Sequence, residues 1–412
     1  MPPASSLLDS FDSPSILRPM TVTRRHTKVR ALGAALAALA GLSLAPCATS
    51  VSGLTEDAYA MSSTPKMRFE HRIIDPDPPR DPHIKAAGDI DGDGNPDVVV
   101  ASSDGGPLVW YRNPDWSRHV VHPSGKWSCY ARVVDMDGDG DADILVSEWY
   151  THNRLEWYEN PRPDGDPAKA PWRQHMIGSP RAHDICTGDI DGDGQMEIAT
   201  RAQGEDGGEI VLWKRAAGGS WSKRSLPCPA GEGLSIDSIA GGGRLDIVIG
   251  GRWYEAPEDI MSGHWQEHIF ADWPADAVVA VADMNEDGWA DVVLTRSEGR
   301  HRLSWFQPPA NLKQDKWSEH VVDDSVDFAH SLVVCDTDGD SRPDIVAAEM
   351  HQSPRKRVMV YLGGRGGTEW TREIIAETGL HNLCVLRLPN AGRLGIVRAN
   401  WSGEYQPLEL WE

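Results

Sequence analysis

One nine-residue acidic pattern returns along the chain at intervals of 45 to 54 residues, and this repeat constrains the fold more than any other feature. DIDGDGNPD begins at Asp89, DMDGDGDAD at Asp135, DIDGDGQME at Asp189, DMNEDGWAD at Asp283 and DTDGDSRPD at Asp336. Two degenerate copies fill the gaps, SIAGGGRLD ending at Asp246 and RLPNAGRLG ending at Gly395. Seven units of one period imply an array in which each unit buries its apolar face against the next.

Two further elements travel with the acidic loops. One is a W-x-x-H segment: WSRHVV from Trp116, WRQHMI from Trp172, WQEHIF from Trp265 and WSEHVV from Trp317, with looser copies at Trp221, Trp370 and around His71. The other is an aromatic run around Trp110, Trp157, Trp213, Trp253, Trp305, Tyr361 and Trp411. Each unit then reads as four strands: an apolar run before the loop, a β-branched run after it, the aromatic strand and the W-x-x-H strand. Four strands per 40–50 residues is the signature of a propeller blade, and 40 Gly and 29 Pro suit its many tight turns. The expectation is an all-β, seven-bladed β-propeller over residues 67–412. Because the first W-x-x-H-like segment precedes the first loop, a strand over 68–74 should close the last blade.

The loops place oxygen donors at positions 1, 3, 5 and 9, which suits Ca²⁺, with glycine allowing the sharp turn. The candidate ligands are Asp89, Asp91, Asp93, the Asn95 carbonyl and Asp97; Asp135, Asp137, Asp139 and Asp143; Asp189, Asp191, Asp193 and Glu197; Asp283, Asn285, Asp287 and Asp291; and Asp336, Asp338, Asp340 and Asp344. These five loops hold 21 of the 62 acidic residues, a density that self-repulsion disfavours without cations. Asx-turn chemistry without metal is the alternative. The ions are expected to be structural, since these turns lie at the end of the ring away from the ligand mouth. The D-x-D-G-D-G-x-x-D turns between strands resemble FG-GAP/VCBS repeats, as in integrin-type propellers and some secreted bacterial carbohydrate-active proteins.

Six residues before each loop lies a slot occupied by His83, Cys129, His183, Glu232, Ala277, His330 and His381. Innermost strands line a propeller's channel, so this slot should form a ring at one mouth. Tyr130, Lys85 and Arg132 lie beside or below it. Loops after the second strands should add Glu148, Trp149, Arg201, Arg252, Arg296, Glu349, His351 and Trp401 as ligand contacts. His119, His175, His268 and His320 share another phase, on outer strands beside Trp, and read as packing residues.

The inner-strand contexts AHDICTGD and AHSLVVCD, with W-x-x-H outer strands, are similar to the propeller of the aldos-2-ulose dehydratase family. That resemblance implies a metal-containing carbon–oxygen lyase acting on ketosugars; the chain has no room for that family's cupin domains. Elimination beside a carbonyl or carboxylate needs a base and a stabiliser of the enolate. A neutral His supplies the first, and Arg side chains or a second divalent metal held by the mouth His supply the other. A keto- or uronic-acid sugar is the expected substrate. Two other readings stand: a non-catalytic glycan- or protein-binding propeller, and a glycoside hydrolase using two of Glu148, Glu232 and Glu349.

Basic residues 23–30 precede the apolar stretch 31–45, an export-signal pattern too short to span a membrane comfortably. Residues 1–60 are expected to be signal and leader, with a secreted or periplasmic mature protein. Pro46 disfavours lipoprotein anchoring at Cys47. A net charge of −22 argues against a nucleic-acid or anionic-membrane partner. The five later Cys have no zinc-motif spacing and read as buried thiols.

Overall fold

The computed structural model describes residues 69–412 except 128, 149–151, 314–315 and 389–393. The leader and Trp149 therefore lie outside the described residues. Among the described residues, no helix is long and apolar enough to cross a membrane and no disulfide joins the cysteines.

The described strands form seven four-stranded antiparallel sheets. Six sheets take four consecutive strands, as in Pro82–Gly88, Asp97–Ser102, Gly106–Arg112 and Ser117–Gly125 of blade one. The seventh joins Cys384–Arg387, Leu394–Ala399 and Leu408–Trp411 to His71–Asp75 from the other end of the fold. The closing strand is thus the expected one, starting three residues later and ending one later. It pairs His71 with Trp411 and Arg72 with Leu410, and Glu70 and Glu412 exchange backbone hydrogen bonds.

Why these runs form strands follows from their burial. The second strand of each blade is covered on both faces, so it reads as an unbroken apolar run such as DVVVAS or DIVAAE. Outer strands alternate and leave one face in water. Between blades the sheets interlock: Val98, Val100 and Tyr111 of blade one pack against Leu386, Val397 and Leu408 of blade seven. The recurrent His of the outer strands has a packing role. His119, His175, His268 and His320 lie 4.7, 4.2, 4.2 and 3.9 Å from the rings of their cross-strand partners Trp110, Trp157, Trp253 and Trp305. The closing strand repeats the pair with His71 on Trp411.

The acidic turns have a framework role that does not need an ion. The carboxylate at position 9 accepts one backbone N–H from position 2 and another from the end of the aromatic strand. Asp97 takes them from Ile90 and Asn113, Asp143 from Met136 and Asn160, and Asp344 from Thr337 and Gly363. Asp246 does the same in the fourth turn, which lacks the other carboxylates. The position-6 amide donates to the first Asp, as Gly94 does to Asp89. That residue needs a positive φ; the sixth loop puts Ser341 there at +69°, where glycine serves elsewhere.

Candidate functional site: a buried imidazole cluster at one end of the channel

Each innermost strand starts at one end of the ring and finishes at its acidic turn. In blade six Ala329–Cys335 carries His330 at one end and Asp336 just beyond the other, about 20 Å away at strand rise. All seven inner strands line a central cavity of about 710 Å³. Lys85, Tyr130, Arg132 and His330 are among its walls, with aliphatic residues such as Val279 and Leu332.

The four His converge at the starting end of these strands, but they form a buried layer rather than an open rim. His83, His183, His330 and His381 are at most 5% exposed. Ring centroids lie 5.4 Å apart for His183 and His330, 4.2 Å for His330 and His381, and 3.7 Å for His83 and His381. One nitrogen each of His183, His330 and His381 falls within 4.8 Å of the others. Glu232, 1% exposed, stands between blades: its Oε2 is 3.6 Å from His183 Nε2 and its Oε1 3.5 Å from His330 Nε2.

These separations suit an ion. Bonds of about 2.1 Å put neighbouring ligand atoms roughly 3.0–3.4 Å apart. Nδ1 of His330 and Nδ1 of His381 are buried without a hydrogen-bond partner, and Glu232 makes only long contacts to the two imidazoles, which is costly unless something else satisfies these groups. Three imidazoles and a carboxylate match Zn²⁺, Mn²⁺ or Fe²⁺ rather than Ca²⁺. Asp184, whose Oδ2 is 3.4 Å from His183 Nδ1 and accepts the Gly233 N–H, is placed to orient that ring.

Charge follows the same geometry. Burial disfavours a charge on His183, yet Cys129, Asp184 and Glu232 outweigh it and hold its pKa well above the ordinary value. Burial, reinforced by His183, pushes His83 well below it; burial with His83 does so for His381. Glu232 is buried, but His183 and His330 hold it below the usual carboxylate range. Burial brings Lys85 down to about 7, so an amine rather than an ammonium is accessible near neutrality.

Trp401 roofs the layer, 5.1 Å from His83 and 4.9 Å from His381, with His351 4.6 Å away on its other side. Tyr130 reaches toward the His330 carbonyl at 3.5 Å. His83 Nδ1 accepts the Cys129 N–H. Arg296 lies near this end, 3.6 Å from Asp276.

Other expected contacts are turned to structural work. Arg201 is 1% exposed, and its guanidinium donates to the carbonyls of Pro229, Glu232 and Gly233, clasping blade three to the loop of blade four. Arg252 faces outward to Glu267 on its blade's outer strand. Glu148 is held by Arg154 and His152, and Glu349 by Arg357 and Ser353. Those two carboxylates are buried braces, which removes the pairing that a glycosidase mechanism would draw on. Two residues at the site carried no repeat signal. Glu298 lies beside Glu232 and His330 and stays partly exposed, and Asn382 donates to the Cys129 carbonyl.

At the opposite end, ligand atoms of Asp89, Asp91 and Asp97, and of Asp135, Asp137 and Asp143, gather within 4.8 Å. Burial, with repulsion between neighbours, pushes Asp97 and Asp143 up to about 7 and Asp291 up to about 8.

The architecture is that of a seven-bladed, four-stranded β-propeller. The FG-GAP-like repeat family matches residues 89–146, 135–200 and 283–347. Over 144 residues the chain is 28% identical to aldos-2-ulose dehydratase of Phanerodontia chrysosporium, a match covering 30% of this chain and only 16% of that protein. Among solved structures, a luciferin-regenerating enzyme aligns at 10% identity and a TM-score of 0.42, over 83% of this chain and 95% of its own. AofleA from Arthrobotrys oligospora aligns at 13% identity and 0.43, over 76% and 91%.

Proposed function

We propose that this protein is a secreted, calcium-stabilised propeller that acts as a metal-dependent carbon–oxygen lyase on a keto- or uronic-acid sugar. The observation that carries the reading is the convergence of one nitrogen each of His183, His330 and His381, with the Glu232 carboxylate beside two of them. The partial likeness to a dehydratase, by that protein's name, agrees with it. A divalent ion held there would polarise a carbonyl or carboxylate oxygen. In the elimination a proton leaves the adjacent carbon, the carbon–carbon double bond forms, and the neighbouring C–O bond breaks with the oxygen departing as water. Glu298, the partly exposed carboxylate beside the cluster, exchanges the proton; Trp401 and His351 stack on the sugar face; Arg296 pairs with a substrate carboxylate.

The test is elemental analysis of the mature protein combined with a screen of keto- and uronic-acid sugars for the ultraviolet absorbance of an unsaturated product. A transition metal near one per chain, with product that disappears on chelation, is the expected result. The aromatic roof favours one second reading, a glycan-binding propeller, and sugar binding without any product would select it.

For the acidic loops, chelation should lower the melting temperature and added CaCl₂ should restore it. Each occupied loop adds about 2.7 kcal/mol at a hundredfold excess over Kd. A melting curve unmoved by chelator, with no calcium on analysis, would leave only turn chemistry.

A further inference from the structure

Lys214 follows Trp213 near the end of the aromatic strand of blade three, Glu209–Arg215. Its ammonium lies 2.6 Å from Asp191 Oδ2, 2.8 Å from Asp193 Oδ2 and 2.9 Å from Glu197 Oε1. These carboxylates hold the third, fifth and ninth loop positions, three of the four side chains a divalent ion would need.

Strand register identifies the matching residue in other blades. The residue after position 9 pairs with Tyr111, Tyr158, Trp213, Phe306 or Tyr361, so the next residues are Arg112, Glu159, Lys214, Gln307 and Leu362. Arg112 meets one loop carboxylate, Asp91, at 2.7 Å. Gln307 gives Asp287 an amide N–H at 3.0 Å. Glu159 is engaged with His175 and Arg173, and Leu362 has no charge. Of these five, Lys214 alone sets a full positive charge against three loop carboxylates. In blade two no cation stands at that register position, and Arg162 reaches only Asp141, at 3.1 Å; buried oxygens without a hydrogen bond occur in both loops, Asp137 Oδ1 in one and Asp191 Oδ1 in the other, so the lysine is what sets the blade-three loop apart.

We propose that Lys214 is the resident cation of the blade-three loop, so that this loop excludes a divalent ion despite its complete acidic pattern, while the blade-two loop takes one. Three N–H donors on one nitrogen consume the lone pairs that Ca²⁺ would need at 2.3–2.6 Å, and two positive charges at that spacing repel. The blade-two half rests on the calcium reading above; the Lys214 half does not.

Calcium per chain is counted by elemental analysis after equilibration with CaCl₂, on variants of the full chain checked for folding by circular dichroism. Asp191→Ala should retain every ion of the wild type, and Asp137→Ala should lose one. Lys214→Met should gain one, and Asp191→Ala added to it should return the count to the wild-type value. Lys214→Met should also melt lower in chelator and recover in CaCl₂. An ion lost in Asp191→Ala, or a folded Lys214→Met that gains none, overturns the assignment. A wild type without calcium overturns the calcium reading and the blade-two half with it. One ion gained by Lys214→Met would still support the Lys214 half.

Discussion

A chain that starts at residue 61 should melt with the full-length protein, whereas one that starts at residue 77 should melt at least several degrees lower or fail to accumulate as folded material. The difference is the strand His71–Asp75, which supplies the fourth strand of blade seven. Without it, Leu408–Trp411 becomes an open edge, the ring loses the strand contributed from the opposite end of the fold, and the Glu70–Glu412 exchange disappears. The lost ladder bonds and the His71–Trp411 stack together contribute on the order of 3–6 kcal/mol. Exposed edge pairing adds aggregation to that loss. Thermal melts of the two truncations side by side decide the matter, and equal midpoints would mean that the ring does not depend on this closure.

The closure was legible because repeat phase is a strong signal: the order of elements around the first and last units leaves one strand unmatched at each end. The inner and outer His were separable for the same reason, since a fixed offset from the acidic loop fixes a strand, and a strand fixes distance from the axis. The same offsets failed for Arg201, Glu148 and Glu349. They lie at equivalent strand ends, but what a side chain meets there depends on the neighbouring loop. Arg201 meets three carbonyls, and each acid meets an arginine from the start of the next strand, Arg154 or Arg357. An acid followed six to eight residues later by Arg was a local sign of bracing. Glu298 has no counterpart in the repeat, so only the folded structure brings it beside Glu232. Lys214 was visible as a residue, but its role needed the cross-strand register that sets it over its own loop.

His183→Ala and His330→Ala should each abolish tight binding of the transition metal and lower turnover of the sugar substrate by ~10²–10³-fold or more, while far-ultraviolet circular dichroism stays that of the wild type. Each removes one of three converging nitrogens. Both rings lose their contacts to Glu232, and His183 also its contact to Asp184, but strand pairing here runs through the backbone, as between His183 and Arg201. Glu232→Gln keeps the shape and removes the charge between the two rings, so it should weaken metal binding without unfolding the protein. The control is His175→Ala, on the outer strand of blade two. It loses the stack on Trp157 at 4.2 Å and the bond to Glu159, and should cost about 1–2 kcal/mol of stability with metal content and turnover unchanged. Should His183→Ala and His330→Ala retain metal and full turnover, or unfold while Glu232→Gln retains both, the imidazole layer is a structural plug and the glycan-binding reading takes its place.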